Sequence, residues 1–152
     1  MKGSEISYEN GRLTVTRIFN APREAVFEAW VETSKVQLWW GCAYATQVQS
    51  EIEPEVGGKF NHLMTLKDVG DYQQKGMITA YDPPALLAYD LYDGFNQEPM
   101  PVRVEFHVDA QGTRVRLTQD NLPDSYSQYV KVGWLAGFEK LSEILEAETA
   151  VS

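Results

Sequence analysis

A chain of 152 residues, 43% hydrophobic and 23% charged, has the make-up of one soluble domain over residues 1–152, able to bury about 68–70% of its unfolded surface. Its net charge of −9, with 13 Lys and Arg scattered singly, argues against nucleic acid and anionic membranes, which need clustered cations. No apolar run approaches the roughly 18 residues of a membrane span, Met1-Lys-Gly-Ser-Glu-Ile6 offers no secretory core, and lone Cys42 excludes an internal disulfide, so the expected compartment is the cytoplasm.

Leu13 to Phe19 alternates as a strand, with Leu13, Val15 and Phe19 on one side. Pro22 then favours the first turn of a helix, where Glu24 adds favourable charge. Val26, Phe27 and Trp30 share one face of that helix. Thr33 or Ser34 can cap a second short helix carrying Val36, Leu38, Trp39 and Trp40, and Gly41 can end it in a left-handed conformation.

Beyond Gly41 the period changes. Segments near 44–54, 58–67, 72–81, 85–92, 101–109 and 113–121 read as strands of an antiparallel meander. They are separated by Gly57-Gly58, Asp68-Val-Gly-Asp71, Asp82-Pro-Pro84, Asp93-Gly94 and Gln111-Gly112. Val102-Arg-Val-Glu-Phe-His-Val108 alternates throughout, so His107 belongs on the wet face of a sheet with one buried side. A long helix from about Ser125 to Ala147 closes the chain, and Ser125 and Gln128 have capping-box spacing. Its apolar residues, from Tyr126 and Val130 through Gly133, Trp134, Gly137 and Phe138 to Leu145, fall in a sector roughly 140° wide. Only the sheet is large enough to cover that stripe.

Gly133 and Gly137 sit one turn apart on the stripe, and each helix-interior glycine costs roughly 0.8–1.0 kcal/mol relative to alanine. They serve either close packing or the opening of a ligand cavity between helix and sheet. Trp39 and Trp40 are adjacent and point about 100° apart near a helix end, which sends one inward and leaves the other at the cavity rim or the surface. Phe60, His62 and Met64 share a strand face that His62 interrupts. It is either a histidine satisfied by a neighbour, or a ligand contact or base titrating near neutrality. Tyr44, Tyr72, Tyr81, Tyr89, Tyr92, Tyr126 and Tyr129 supply hydroxyls for orienting a ligand, and Met64, Met77 and Met100 an adaptable lining. Hydrolase elbow, phosphate loop and zinc-protease motifs are absent. One cysteine and two histidines do not make a structural zinc site, and no metal or cofactor is expected.

Asn20-Ala-Pro22 with its aromatic helix, Trp39-Trp-Gly41, Gly57-Gly58 with Phe60, and the Gly133-Trp134 helix follow one another over residues 12 to 147. In that order they resemble the bacterial family named for the activator of the ninety-kilodalton heat-shock-protein ATPase, in the START-like (SRPBCC) helix-grip superfamily. The resemblance implies an α+β fold in which a curved antiparallel sheet of about seven strands wraps the long carboxy-terminal helix, with two short helices after the first strand. It also implies a cavity for a small apolar, amphipathic or lipid-like molecule. Its expected lining is Trp39, Trp40, Phe60, His62, Met64, Val104, Phe106, Gly133, Trp134 and Gly137, and no residue is assigned a catalytic role. A cyclase- or hydrolase-type enzyme using the same cavity is the alternative, and a chaperone-regulating interaction module the third reading. The assembly is expected to be a monomer or homodimer.

Overall fold

The computed structural model describes residues 3–92 and 98–151. Its strands are β1 (Glu5–Glu9), β2 (Arg12–Phe19), β3 (Ala45–Ile52), β4 (Phe60–Leu66), β5 (Gly70–Asp82), β6 (Leu86–Tyr92), β7 (Met100–Asp109) and β8 (Gly112–Gln119). Helices α1 (Arg23–Val31) and α2 (Thr33–Val36) follow β2, and α3 (Asp124–Val151) ends the chain. All eight strands form one curved antiparallel sheet in the order β1-β2-β8-β7-β6-β5-β4-β3. The fold is the expected α+β helix-grip, with eight strands rather than seven.

The additional strand is β1. It pairs with β2 from Glu5↔Thr16 to Glu9↔Arg12, across a two-residue turn with Asn10 at φ 51° and Gly11 at φ 83°. Two positive φ values in a two-residue loop define the type I′ hairpin that Asn-Gly favours. Tyr8 pins the hairpin by donating its hydroxyl to the Leu122 carbonyl at 2.6 Å.

Some helix ends differ from expectation. Pro22 is the extended residue just before α1, and neither it nor Glu32, which precedes α2, makes a side-chain cap. Asp124 opens α3, so Ser125 lies inside the first turn rather than capping it. Gly41 takes the expected left-handed conformation at φ 63°. The turn at Asp93-Gly94 lies outside the described residues.

Alternation sets the inner face. Met100, Val102, Val104 and Phe106 of β7 are buried, and Val115 and Leu117 of β8 continue the layer across the ladder. The carboxy-terminal half of α3 packs on it solidly. Phe138 meets Phe19 at 5.5 Å between ring centroids and Trp30 at 5.7 Å, while Trp30 meets Phe106 at 5.5 Å and Trp39 at 4.8 Å. Such edge-on aromatic contacts add stability beyond the area they bury. The first half of α3 rests on a different surface, with space beneath it.

Candidate functional site: an aromatic cavity under the first half of the long helix

Between the start of α3, the turn after α2 and strands β4, β5, β6 and β8 lies a cavity of about 380 Å³. Its wall holds Trp39, Trp40, Met64, Gly133, Trp134 and Gly137 together with Gly41, Tyr44, Leu66, Tyr72, Gln74, Leu91, Gln119, Tyr126, Tyr129 and Val130. That volume falls within the range of small-molecule sites. No charged side chain belongs to the wall among the described residues.

The two tryptophans after α2 both belong to the cavity wall and neither reaches the surface: Trp39 is 1% and Trp40 5% exposed. The turn carrying them is wedged between α3 and the sheet, so both directions lead inward. Trp39 joins the packed aromatic cluster and donates its indole N–H to the Ala29 carbonyl at 3.0 Å. Trp40 crosses to the sheet, donates to Gln74 Oε1 at 2.9 Å, and meets Trp134 edge-on at 5.4 Å.

His62 is not in the wall. Trp40 covers it, with the two rings stacked 4.0 Å apart at 16°, and Phe60 closes it edge-on at 4.7 Å. Ser50 Oγ on the neighbouring strand lies 2.8 Å from Nδ1, whereas Nε2 is buried without a partner among the described residues. Burial pushes the imidazole pKa down to about 3, since the charged form loses its hydration. The ring is therefore neutral at pH 7 and separated from the cavity by an indole. Strand alternation allowed a ligand contact or a base at this position; in the fold the Trp40 indole stands between the ring and the cavity.

Phe60, Val104 and Phe106 are also absent from the wall. They occupy the expected inner face, but its packed part. Phe60 stacks on Tyr89 at 4.0 Å, Phe106 is held between Phe27 and Trp30, and Val104 is fully buried beside them. Among the tyrosines, Tyr89 belongs to the core, Tyr81 packs on Phe27 at 5.6 Å, and Tyr92 is 45% exposed. Tyr44 and Tyr129 close one side of the cavity as a stacked pair, 4.1 Å apart at 14°, and the Tyr44 hydroxyl donates to the Tyr129 carbonyl at 2.8 Å. Met77 is exposed, and Met100 supports the wall from behind.

Leu66, Gln74 and Leu91 line the wall without having been singled out from the sequence, and Gln119 is a further such residue. It follows Val115 and Leu117 at period two, so a polar amide on an inward position was visible in the alternation itself. Trp134 donates its indole N–H to Gln119 Oε1 at 2.8 Å.

A family profile described as activator of Hsp90 ATPase homolog 1-like protein matches residues 20–146. The chain belongs to that family. No curated protein matches the sequence of this AHSA1-like chain. Its fold recurs in solved structures. A crystal structure from Rhodobacter sphaeroides has 17% identity and a TM-score of 0.81, with 95% of this chain and 98% of that one covered. A second, from Chromobacterium violaceum, has 17% identity and a TM-score of 0.81, with coverage of 90% and 99%. The solution structure of the AHSA1-like protein from Aeromonas hydrophila has 23% identity and a TM-score of 0.75, with coverage of 91% and 94%. At such identities the likeness speaks for the fold and not for a ligand. No helix of this AHSA1-like protein is long and apolar enough to cross a membrane among the described residues.

Proposed function

We propose that this protein binds a small apolar or amphipathic molecule in the cavity under α3 and does not convert it chemically. The observation that carries the reading is the pair of glycines over an aromatic hollow. A Cβ built on Gly133 would meet only a Tyr44 ring carbon at 3.7 Å, and one on Gly137 the Trp39 ring at 3.4 Å. Those are ordinary van der Waals distances, so packing does not demand glycine at either position. Their absent side chains are then best accounted for by the space they leave. The non-catalytic part of the reading rests on His62, the candidate base, which lies behind Trp40 and which burial makes only weakly basic. A chaperone-regulating role draws support from the family description alone, and description does not fix function.

Native mass spectrometry of protein purified from its own host tests the reading, together with titration of the uncharged dye N-phenyl-1-naphthylamine. The expected result is a mass adduct released on denaturation and saturable dye uptake that the adduct blocks. A protein with no adduct and no saturable uptake refutes it.

A further inference from the structure

Resting on that cavity reading, we infer that the bound molecule is planar and carries no negative charge, and that it presents a carbonyl oxygen to the side-chain amide of Gln119. The inference starts from an incomplete hydrogen-bond set. Gln119 is 2% exposed and part of the cavity wall. The Trp134 indole can only donate, so its 2.8 Å contact fixes the carboxamide with Oε1 towards Trp134 and the NH₂ group on the other side. That NH₂ carries two hydrogens. One goes to the Met100 sulfur at 3.4 Å, a weak acceptor. The other has no protein acceptor among the described residues. Buried donors are almost always paired, and since Gln119 belongs to the wall of the hollow, an occupant of the hollow can accept the remaining hydrogen.

The rest of the wall selects the partner's chemistry. It holds three tryptophans and four tyrosines, flat faces that favour a flat occupant by stacking. A carboxylate would enter a wall without a cation among the described residues, in a protein of net charge −9, and would lose its hydration uncompensated. A neutral carbonyl avoids that cost, and it accepts the one hydrogen left over.

Three tricycles of nearly equal shape test the inference by tryptophan-fluorescence titration: fluorene, 9-fluorenone and the anion of 9-fluorenone-4-carboxylic acid. Fluorenone is expected to bind about 2–10-fold tighter than fluorene, the net worth of one neutral hydrogen bond, and the anion more weakly than either. The infrared carbonyl band of bound fluorenone should lie below its position in cyclohexane. In the double variant Gln119→Met/Trp134→Phe, which removes the amide without stranding the indole N–H, the fluorenone-to-fluorene ratio should fall to within about twofold of unity. Any general loss common to the two tricycles cancels in that ratio. If the double variant does not fold, the wild-type ratio and the infrared shift decide. Equal affinities, an unshifted band, or a preference that survives the double substitution overturns the inference and leaves the cavity reading standing. Dye uptake without binding of any tricycle also overturns it. Failure of dye and tricycles alike removes the cavity reading and the inference together.

Discussion

Replacing the two glycines of α3 separates an open site from a packed helix most directly. Gly133→Ala returns about 0.8–1.0 kcal/mol of helix propensity, and its methyl meets the Tyr44 ring at the comfortable distance of 3.7 Å. Gly137→Ala gains less, about 0.4–1 kcal/mol, because its methyl would sit at the near end of van der Waals contact, 3.4 Å from the Trp39 ring. For a domain of this size each kcal/mol moves Tm by about 2–4 °C. The single variants should therefore melt about 1–4 °C above the wild type and the double variant about 2–8 °C above it, by differential scanning calorimetry. Dye uptake should survive in both alanine variants. Leucine is different, since its longer side chain projects into the 380 Å³ hollow. Gly133→Leu and Gly137→Leu should lose dye uptake while staying folded at a cost below the 1–3 kcal/mol of overpacking a filled core. Alanine variants that lose more than about 1 kcal/mol would refute the reasoning, because a methyl group is destabilising only where no space exists.

Three further outcomes follow from particular side chains. Trp134→Ala should cost about 3–5 kcal/mol in denaturant melts, since the indole is 8% exposed and its loss strands the Gln119 acceptor; a loss below about 1 kcal/mol would mean that it bears little of the fold. His62 binds its proton near pH 6.5 when unfolded but only near 3 when folded, so unfolding takes up a proton between those values and stability falls as pH drops through that window. At pH 4.5 the contribution is on the order of 2–3 kcal/mol. His62→Leu should flatten the acid limb of a Tm-against-pH plot by that amount, and parallel limbs would contradict a buried neutral ring. Tyr44→Phe removes an exposed hydrogen bond to α3 and should change stability by no more than about 0.5–1.5 kcal/mol while accelerating dye release in stopped-flow traces; unchanged release would show that the Tyr44–Tyr129 pair is not on the exit path.

The fold was legible because period and punctuation agree along most of the chain. The six meander strands fall within a few residues of their expected bounds, and Gly41 ends its segment in the conformation that only glycine adopts freely. The first strand went unread although Asn10-Gly11 marks it, because Glu5–Glu9 is short and only half-buried, so its alternation is faint. The cavity was legible only in part. Alternation says which face of a strand looks inward, and Met64, Phe60, Val104 and Phe106 all do. It does not say which inward positions lie beneath Phe138 and which beneath Gly133. Sheet curvature and the seating of α3 decide that, and both arise from contacts far apart in sequence. The same limit hid the burial of Trp40, whose direction depends on a turn wedged against α3.

The unequal seating of α3 also bears on how such a protein can diversify. Trp30, Phe138 and Leu141 are almost wholly enclosed, so a change there is felt through the whole domain, whereas Tyr126 and Tyr129 are 39% and 49% exposed and still border the hollow. Large-to-small changes in cores are costly and those at half-open positions are not. One end of the helix thus acts as a keel that holds the molecule upright. The other is a workbench on which a lineage can reshape the recess without rebuilding the hull.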